Sequence, residues 1–217
     1  MTDIPPSNCR WLINSRVEFT RHPLVFIEGL KRWVFLHDCV WSGPHLASVY
    51  YLSTEFPQCK TLFRDHLNLG NVTLDHVIHE LECVTSSTSF SRLEELLLQL
   101  NRYLRKGSPK NCLSKLKGKG IIPVRKPNGT LCRMNYDSYN WYLADRQKLW
   151  DCFNRKLPLI TFDVTTVRKL DPLIQAMGLS DYLLSEADKQ VLEAIGDIIY
   201  DEERSLELRR RVSYFPR

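Results

Sequence analysis

The segment of residues 141–185 constrains the fold more than any other part of the chain, because short apolar runs alternate there with residues that start or stop helices. Residues 141–143 are aromatic and aliphatic, which favours a short strand. Asp145 can cap a following helix with its carboxylate. Residues 157–162 are apolar enough for a buried strand. The first half of the segment therefore predicts strand, helix and strand, with an apolar helix face made of Leu149, Trp150 and Phe153.

The second half of the same segment carries the start and stop signals of further helices. Asp163 is placed to cap one helix, which must bend or restart at Pro172 because proline lacks the N–H that the helical ladder needs. Gly178 is a natural helix stop. Ser185 and Asp188 have the spacing of a capping box for a last helix. Together with the strands, these signals predict an α+β fold.

The pattern along the whole chain divides it into four parts. Residues 1–23 are polar and contain prolines, which predicts a loosely ordered arm. Residues 24–106 predict a mostly helical half with one strand pair within 32–41. Lysine, glycine and serine dominate 107–120, as in a basic linker. Residues 121–217 then predict an α+β half with a small mixed sheet and capping helices.

Three local patterns support this division. Thr73 precedes an apolar stripe of helical period, and a second leucine-rich stripe follows it. Asn128 and Gly129 lie between two apolar runs, which predicts a hairpin closed by a type I′ turn. The tryptophans at 33, 41, 141 and 150, with Phe153 and Phe162, are expected in the core.

Composition limits the classes of protein to which the chain can belong. The 217 residues are 43% hydrophobic and 25% charged, which suits one domain or two small ones. No apolar run approaches the roughly 18 residues of a membrane span, and the N-terminus lacks an apolar signal core. Seven cysteines without a CxxC pair favour reduced thiols. We therefore expect an intracellular protein, cytoplasmic or nuclear.

The positive charge of the chain lies in one segment. Residues 1–100 have a net charge of −3 and residues 134–217 of −2, whereas residues 101–133 contain ten basic residues and no acidic one. Such a segment can neutralise phosphates or dock onto acidic protein surfaces. The candidates for binding an anion or a partner are Arg102, Arg105, Lys106, Lys110, Lys115, Lys117, Lys119, Arg125 and Lys126.

The sequence predicts neither a catalytic nor a metal site. His76, His79, Glu80 and Cys83 lie near one helix face, but no further histidine or cysteine pair completes a zinc tetrahedron, so a helix surface with one buried cysteine is favoured. All six histidines precede residue 80, and the spacing suggests no Ser-His-Asp or Cys-His pair. The glycines at 118 and 120 precede a strand and do not form a phosphate loop. No cofactor is predicted.

The order of these elements resembles an internal region of very large fungal proteins related to sacsin and NO VEIN, which carry a chaperone-type (GHKL) ATPase domain near their N-terminus. The resemblance covers roughly residues 30–185 and rests on CVWSGP, LFRDHLNLGNVTLDHVIHEL and the block YLADRQKLWDCF–LPLITF–VRKLDPLIQAMGLSDYLLS. The Glu-x-x-x-Asn and DxGxG motifs of the ATPase are absent, so the resemblance implies no ATP hydrolysis. It implies a detached or truncated copy of the downstream region.

These observations favour a non-catalytic interaction or scaffold module whose partner is a protein. The alternative is a nucleic-acid-associated protein that binds through residues 101–133, with Tyr103 as the aromatic residue inside that segment. A further alternative is an accessory enzyme of a fungal gene cluster, which would need a deep pocket with perturbed ionisable groups.

Overall fold

The computed structural model describes residues 15–104, 110–138 and 140–191, without the side chains of 110–112 and 188–191. Small sheets and short helices make up these ranges, and the predicted α+β class is confirmed. No helix in the described ranges combines the length and the apolar character that crossing a membrane requires.

Two small strand pairs form the N-terminal part. Strand β1 (Val25–Ile27) pairs antiparallel with β2 (Arg32–Val34), and β3 (Cys39–Val40) pairs parallel with β4 (Tyr50–Tyr51). The prediction of one strand pair within 32–41 is therefore wrong. The two strands of that stretch exist, but each pairs with a strand outside it, because a 3₁₀ turn at Leu36–Asp38 separates them.

The N-terminal arm is also more ordered than the sequence predicted. Residues 15–21 form a helix, α1, and residues 1–14 lie outside the described ranges. Phe19 of this helix packs against a hydrophobic cluster, with its ring edge-on to Phe63 at 6.5 Å between centroids. The apolar contact of one aromatic side chain thus holds a segment whose composition is otherwise polar.

The helical part follows the predicted leucine stripes. After a short helix α2 (Leu52–Glu55) come α3 (Leu74–Glu82) and α4 (Phe90–Leu104), each with a buried apolar face. Thr73 caps α3 as predicted. His76 completes a capping box, because its Nδ1 accepts the N–H of Thr73 at 3.1 Å.

A three-stranded sheet forms the centre of the C-terminal part. Its strands β5 (Gly120–Arg125), β6 (Leu131–Asn135) and β7 (Leu159–Ile160) lie in the order β6-β5-β7, all antiparallel. The predicted hairpin is confirmed, but its turn is not type I′. Pro127 at the first central position fixes a negative φ, and Gly129 with φ 83° takes the left-handed position.

The helices around this sheet are α5 (Gln147–Phe153), α6 (Val164–Lys169), α7 (Asp171–Met177) and α8 (Leu184–Val191). The signals that start and stop α6 and α7 are confirmed. Asp163 Oδ1 accepts the N–H of Thr166 at 2.6 Å, Pro172 lies in the first turn of α7, and Gly178 ends it with φ 69°.

Three other local predictions in this segment are wrong. Asp145 does not cap α5; its Oδ1 instead accepts the N–H of Ser185 at 3.2 Å, forty residues away. Ser185 is not the cap of α8, because that helix already begins at Leu184. Residues 142 and 143 each form one isolated bridge, not a strand. In all three cases a contact distant in sequence determines the local backbone.

One hydrophobic core spans the predicted boundary between the halves. It runs from Val40 through the leucines of α3 and α4 to the sheet and Tyr182. The predicted linker contributes Leu113 and Leu116, which are 3% and 0% exposed, from a 3₁₀ helix at Lys110–Leu116. The described part of residues 107–120 is thus a packed element, not a linker.

Asn101 fastens α4 to the junction of α6 and α7. An uninterrupted helix would bond the N–H of Leu173 to the carbonyl of Lys169. Here the Asn101 amide takes both groups: its Nδ2 donates to the Lys169 carbonyl at 2.9 Å, and its Oδ1 accepts the Leu173 N–H at 3.2 Å. Asn101 is 4% exposed, so it satisfies two backbone groups that the break at Pro172 leaves inside the protein.

Glu80 holds the loop that precedes β4. Its carboxylate, 9% exposed, accepts the N–H groups of Ala47 and Ser48, each at 2.9 Å, and the guanidinium of Arg92 at 3.1 Å. Arg92 also donates to the carbonyl of His45 at 2.8 Å. Burial alone would raise the pKa of Glu80, but these hydrogen bonds lower it below its ordinary value.

The tryptophans divide between core and surface. Trp41 and Trp141 are buried as predicted, at 7% and 0% exposure. Trp33 is 60% exposed on the outer face of β2, beside Phe26, so its expected place in the core is wrong. The alternation of a strand explains this, because Val34 takes the inward position next to it.

We expect Asn101→Ala to lower the free energy of unfolding by about 2–3 kcal/mol, because the buried N–H of Leu173 and the part-buried carbonyl of Lys169 each lose a hydrogen bond. Urea denaturation of the two proteins measures the change. Gln99→Ala is the matched control: Gln99 lies on the same helix at 6% exposure, but its amide bonds only to Glu95 of that helix. Equal losses in the two variants would contradict the role of Asn101.

Glu80→Gln should flatten the dependence of stability on acid pH. A carboxylate whose pKa is lowered by folding contributes stability that is fully present above its unfolded value, here 4.5, and is lost as the pH falls through the lower native value. Wild-type unfolding free energy should therefore fall more steeply below pH 4.5 than that of the variant. Glu28→Gln, at an exposed position, should track the wild type in the same urea titrations.

Candidate functional site

The basic residues of segment 101–133 do not form one surface. Arg105 and Lys106 lie outside the described residues, as does the side chain of Lys110. The other candidates fall near the two ends of β5, with Arg102 apart from them on the last turn of α4. A strand advances about 3.3 Å per residue, so Lys119 and Arg125 are separated by roughly 20 Å.

The first group consists of Lys115, Lys117 and Lys119, which are exposed before the start of β5. Lys119 Nζ donates to the carbonyl of Glu82 at 3.4 Å and so helps to cover the end of α3. Neither of the two cavities described below is lined by these lysines.

The second group lies in a cleft of about 850 Å³, which we call the cationic cleft. One wall is the β5–β6 turn with Arg125 and Lys126, and the opposite wall is one face of α5 with Arg155 just beyond its end. The floor is the chain from Leu159 to Val164. The volume lies within the roughly 300–1,000 Å³ of ligand sites in proteins.

The three cations of the cleft have no acceptor among the described residues. No hydrogen bond or ion pair to those residues involves the side chains of Arg125, Lys126 or Arg155, and all three are exposed. Asp163 is the one acidic residue in the lining, and its carboxylate caps α6. Hydrogen bonds from Thr166 lower its pKa, so it stays ionised at neutral pH. The lining therefore keeps a net positive charge of two.

Trp150 gives the cleft an aromatic surface. Gln147, Trp150 and Asn154 recur at helical spacing and point to the cleft from one face of α5. Trp150 is half-buried, whereas Ile160 and Phe162 of the floor are each 6% exposed. The indole is thus the apolar surface that a ligand in the cleft can cover.

The N-terminal half supports the floor of this cleft. The hydroxyl of Thr161, in the middle of the floor, donates to the carboxylate of Glu94 on α4. The backbone N–H of Thr161 donates to the carbonyl of Pro123 on β5 at 3.0 Å. The floor is therefore fixed from two sides, and the cleft is formed before any ligand binds.

Arg133, the tenth basic residue of the segment, has a structural role. Its guanidinium donates to the carbonyls of Thr85, Ser86 and Thr88 in the loop between α3 and α4, and it lies 5.5 Å from the ring centroid of Phe90. These carbonyls carry no charge to balance that of the guanidinium, but they accept its N–H hydrogen bonds. Arg133 therefore joins the sheet to the helices and is not available to a ligand.

The His and Cys residues of α3 do not build a metal site. The carboxylate of Glu80 already accepts hydrogen bonds from the loop before β4, and His76 Nδ1 already accepts the N–H of Thr73 at the cap of α3. Burial lowers the pKa of His76, which favours its neutral form. Cys83 was expected to be buried but is exposed. Within the described ranges, no three His, Cys, Asp or Glu side chains are grouped as metal ligands.

A Cys-His pair is present where the sequence suggested none. His79 Nε2 lies 3.8 Å from Cys83 Sγ, and His79 Nδ1 lies 3.8 Å from a carboxylate oxygen of Glu82. The spacing of four residues on a helix could have indicated it. His79 is 64% exposed, and neither cavity borders the pair. Within the described residues, the pair is therefore open to solvent and lies outside both cavities.

Sequence reasoning missed two residues of the cleft, Arg155 and Trp150. Arg155 lies outside the basic segment. Trp150, which is predicted in the core, is half-buried: it packs against the cluster of Ala144, Leu159, Val164 and Leu184 and also lines the cleft. The helical face of Gln147, Trp150 and Asn154 carries a signal, since an aromatic residue flanked by two amides is unusual for a buried stripe. The juxtaposition with Arg125 depends on the antiparallel register of β5 with β7, in which Arg125 lies opposite Leu159.

A second cavity of about 580 Å³ lies beneath the β1–β2 hairpin and includes Leu30, Tyr50 and Tyr51 in its lining. Glu55 is its one acidic and His45 its one basic residue. The cavity thus has no group of charges that converges on a ligand, and the cationic cleft is the better candidate.

Comparison with known proteins places the chain beside a protein family. A family model described as "Domain of unknown function (DUF8348)" matches residues 75–188, more than half of the chain. The matched range includes α3 except its first residue, α4, the sheet and every residue of the cationic cleft. No curated protein and no solved structure matches the chain.

Proposed function

The chain belongs to the DUF8348 family, and we propose that it is a non-catalytic interaction module that binds an acidic segment of a protein partner in the cationic cleft. The observation that carries this proposal is the presence of three exposed cations, without acceptors among the described residues, around one preformed cleft. Opposite charges steer a partner to such a site and fix its orientation.

Carboxylates fit the cleft better than phosphates do. Phosphate sites commonly use several backbone N–H groups that converge on the anion. In the turn beside the cleft, Pro127 has no N–H, Gly129 donates to the carbonyl of Lys126, and Thr130 donates to Asn128 Oδ1. The N–H groups of Gly129 and Thr130 are thus bonded within the turn and do not point to an anion. Side chains must then bind the ligand, and the guanidinium groups of Arg125 and Arg155 match the carboxylates of a peptide.

Nucleic-acid binding is the second candidate. The observation in its favour is that Trp150 lies in the same cleft as three cations, since an aromatic face beside basic residues can stack a base. The distribution of the other basic residues disfavours it. A strand of nucleic acid needs a continuous basic track, whereas the lysines before β5 lie roughly 20 Å from Arg125.

The non-catalytic character rests on the surroundings of the reactive groups. The pair of His79 and Cys83 is open to solvent, and burial, with the charge of Asp38, raises the pKa of the Cys39 thiol to about 12. A thiol with that pKa is a poor nucleophile at neutral pH. The resemblance to the region downstream of the ATPase in sacsin-related proteins remains part of the proposal and agrees with an interaction role.

The test compares two triple variants with the same loss of charge. The first variant removes the three cations of the cleft and combines Arg125→Gln, Lys126→Gln and Arg155→Gln. The second variant removes the basic residues before β5 and combines Lys115→Gln, Lys117→Gln and Lys119→Gln. We expect the first triple to weaken binding of a fluorescein-labelled decaglutamate peptide at least tenfold in anisotropy titrations at low salt. The second triple should change it less than twofold.

The same titrations with a labelled dT20 oligonucleotide distinguish the second candidate. A protein that binds nucleic acid through the whole basic segment would bind dT20 more tightly than decaglutamate, and both triples would weaken it with a reduced salt dependence. That result, or equal losses of decaglutamate binding in the two triples, would contradict the cleft as a protein-binding site.

A further inference from the structure

We infer that the segment bound by the cationic cleft is not uniformly acidic but carries an aromatic or large aliphatic side chain, flanked by acidic residues, which packs on Trp150. This inference rests on the proposed function and names the chemistry of its partner. It follows from three properties of the lining: the half-buried indole of Trp150, the position of one carboxylate, and the weakness of exposed ion pairs.

The charges of the lining favour an occupant that is not acidic along its whole length. Asp163 lines the cleft together with Arg125, Lys126 and Arg155. A run of carboxylates lying through the cleft would therefore meet a carboxylate as well as the three cations, and like charges in contact oppose binding. A segment with acidic residues only on its flanks pairs with the cations and presents an uncharged residue elsewhere.

The apolar part of the lining indicates what that uncharged residue is. Trp150 is half-buried on the wall formed by α5, and beneath it the floor contains Ile160 and Phe162. Aromatic and large aliphatic side chains gain most from covering an indole, and aromatic pairs add a preference for stacked or edge-on contact. Gln147 on the same wall is already engaged, because its Nε2 donates to Asp151 at 2.9 Å.

Affinity also requires such an anchor. Ion pairs at an exposed rim contribute little, since water and salt screen them. Arg125, Lys126 and Arg155 are all exposed, so they select and orient an acidic segment without holding it tightly. Interfaces of this kind obtain most of their affinity from one or two buried aromatic residues within a charged rim.

The experiment compares two labelled eleven-residue peptides with the same charge. Each carries four glutamates among glycine and serine, and the central residue is phenylalanine in one and alanine in the other. We expect the phenylalanine peptide to bind the wild-type chain at least tenfold more tightly, about 1.4 kcal/mol. This comparison needs no variant, so it does not depend on the folding of a mutant.

Two tryptophan variants then locate the anchor. In Trp150→Ala the two peptides should bind within twofold of each other, whereas in Trp33→Ala the tenfold preference should persist. Trp33 is the matched control, because it is exposed on β2 and does not line the cleft. Circular dichroism confirms that each variant is folded, and Trp150→Leu replaces Trp150→Ala if the alanine variant is not. With leucine, the preference should fall but not vanish.

The outcomes separate the inference from the proposed function. Equal binding of the two peptides to the wild type would overturn the anchor while leaving the acidic partner in place. If the Trp150→Ala variant still binds the phenylalanine peptide tenfold more tightly than the alanine peptide, the aromatic side chain does not pack on Trp150. Binding of neither peptide, or tighter binding of dT20 than of both, would overturn the proposed function itself.

Discussion

The hydrogen bonds of Asn101 are the interaction on which the rest of the structure depends. Pro172 interrupts the helical hydrogen bonds between α6 and α7, and the buried amide of Asn101 bonds both the Lys169 carbonyl and the Leu173 N–H from a helix about seventy residues earlier in the chain. An apolar side chain at this position would remove both of these hydrogen bonds and leave the buried N–H of Leu173 without its acceptor. Asn101 therefore joins α4 to the junction of α6 and α7, and the two halves share one core.

The shape of the cationic cleft depends on contacts between the two halves. Its walls and floor belong to the C-terminal half, but Glu94 of α4 holds Thr161 of the floor, and Arg133 ties the sheet to the loop between α3 and α4. Among the described residues the three cations of the cleft have no acceptor, whereas Arg133 of the same sheet bonds to that loop. A preformed cleft of this kind needs little ordering when a partner binds, which favours recognition of a short segment.

The sequence predicts the elements of this fold better than their arrangement. Signals that act within one turn, such as the caps at Thr73, Asp163 and Gly178, are confirmed because the backbone partner is two to four residues away. Asp145 looks equally like a cap, yet a partner forty residues away takes its carboxylate. The cleft likewise joins Arg125 and Arg155 through strand register and helix packing, which no local pattern encodes.

Native-state hydrogen exchange in increasing urea tests most directly whether the two halves form one cooperative unit. Slowly exchanging amides of α4, such as that of Leu97, report on the N-terminal half, and those of β5, such as that of Val124, report on the C-terminal half. The shared core predicts that both sets open with the same free energy and the same dependence on urea. Opening of one set at lower urea, while the other stays protected, would contradict it.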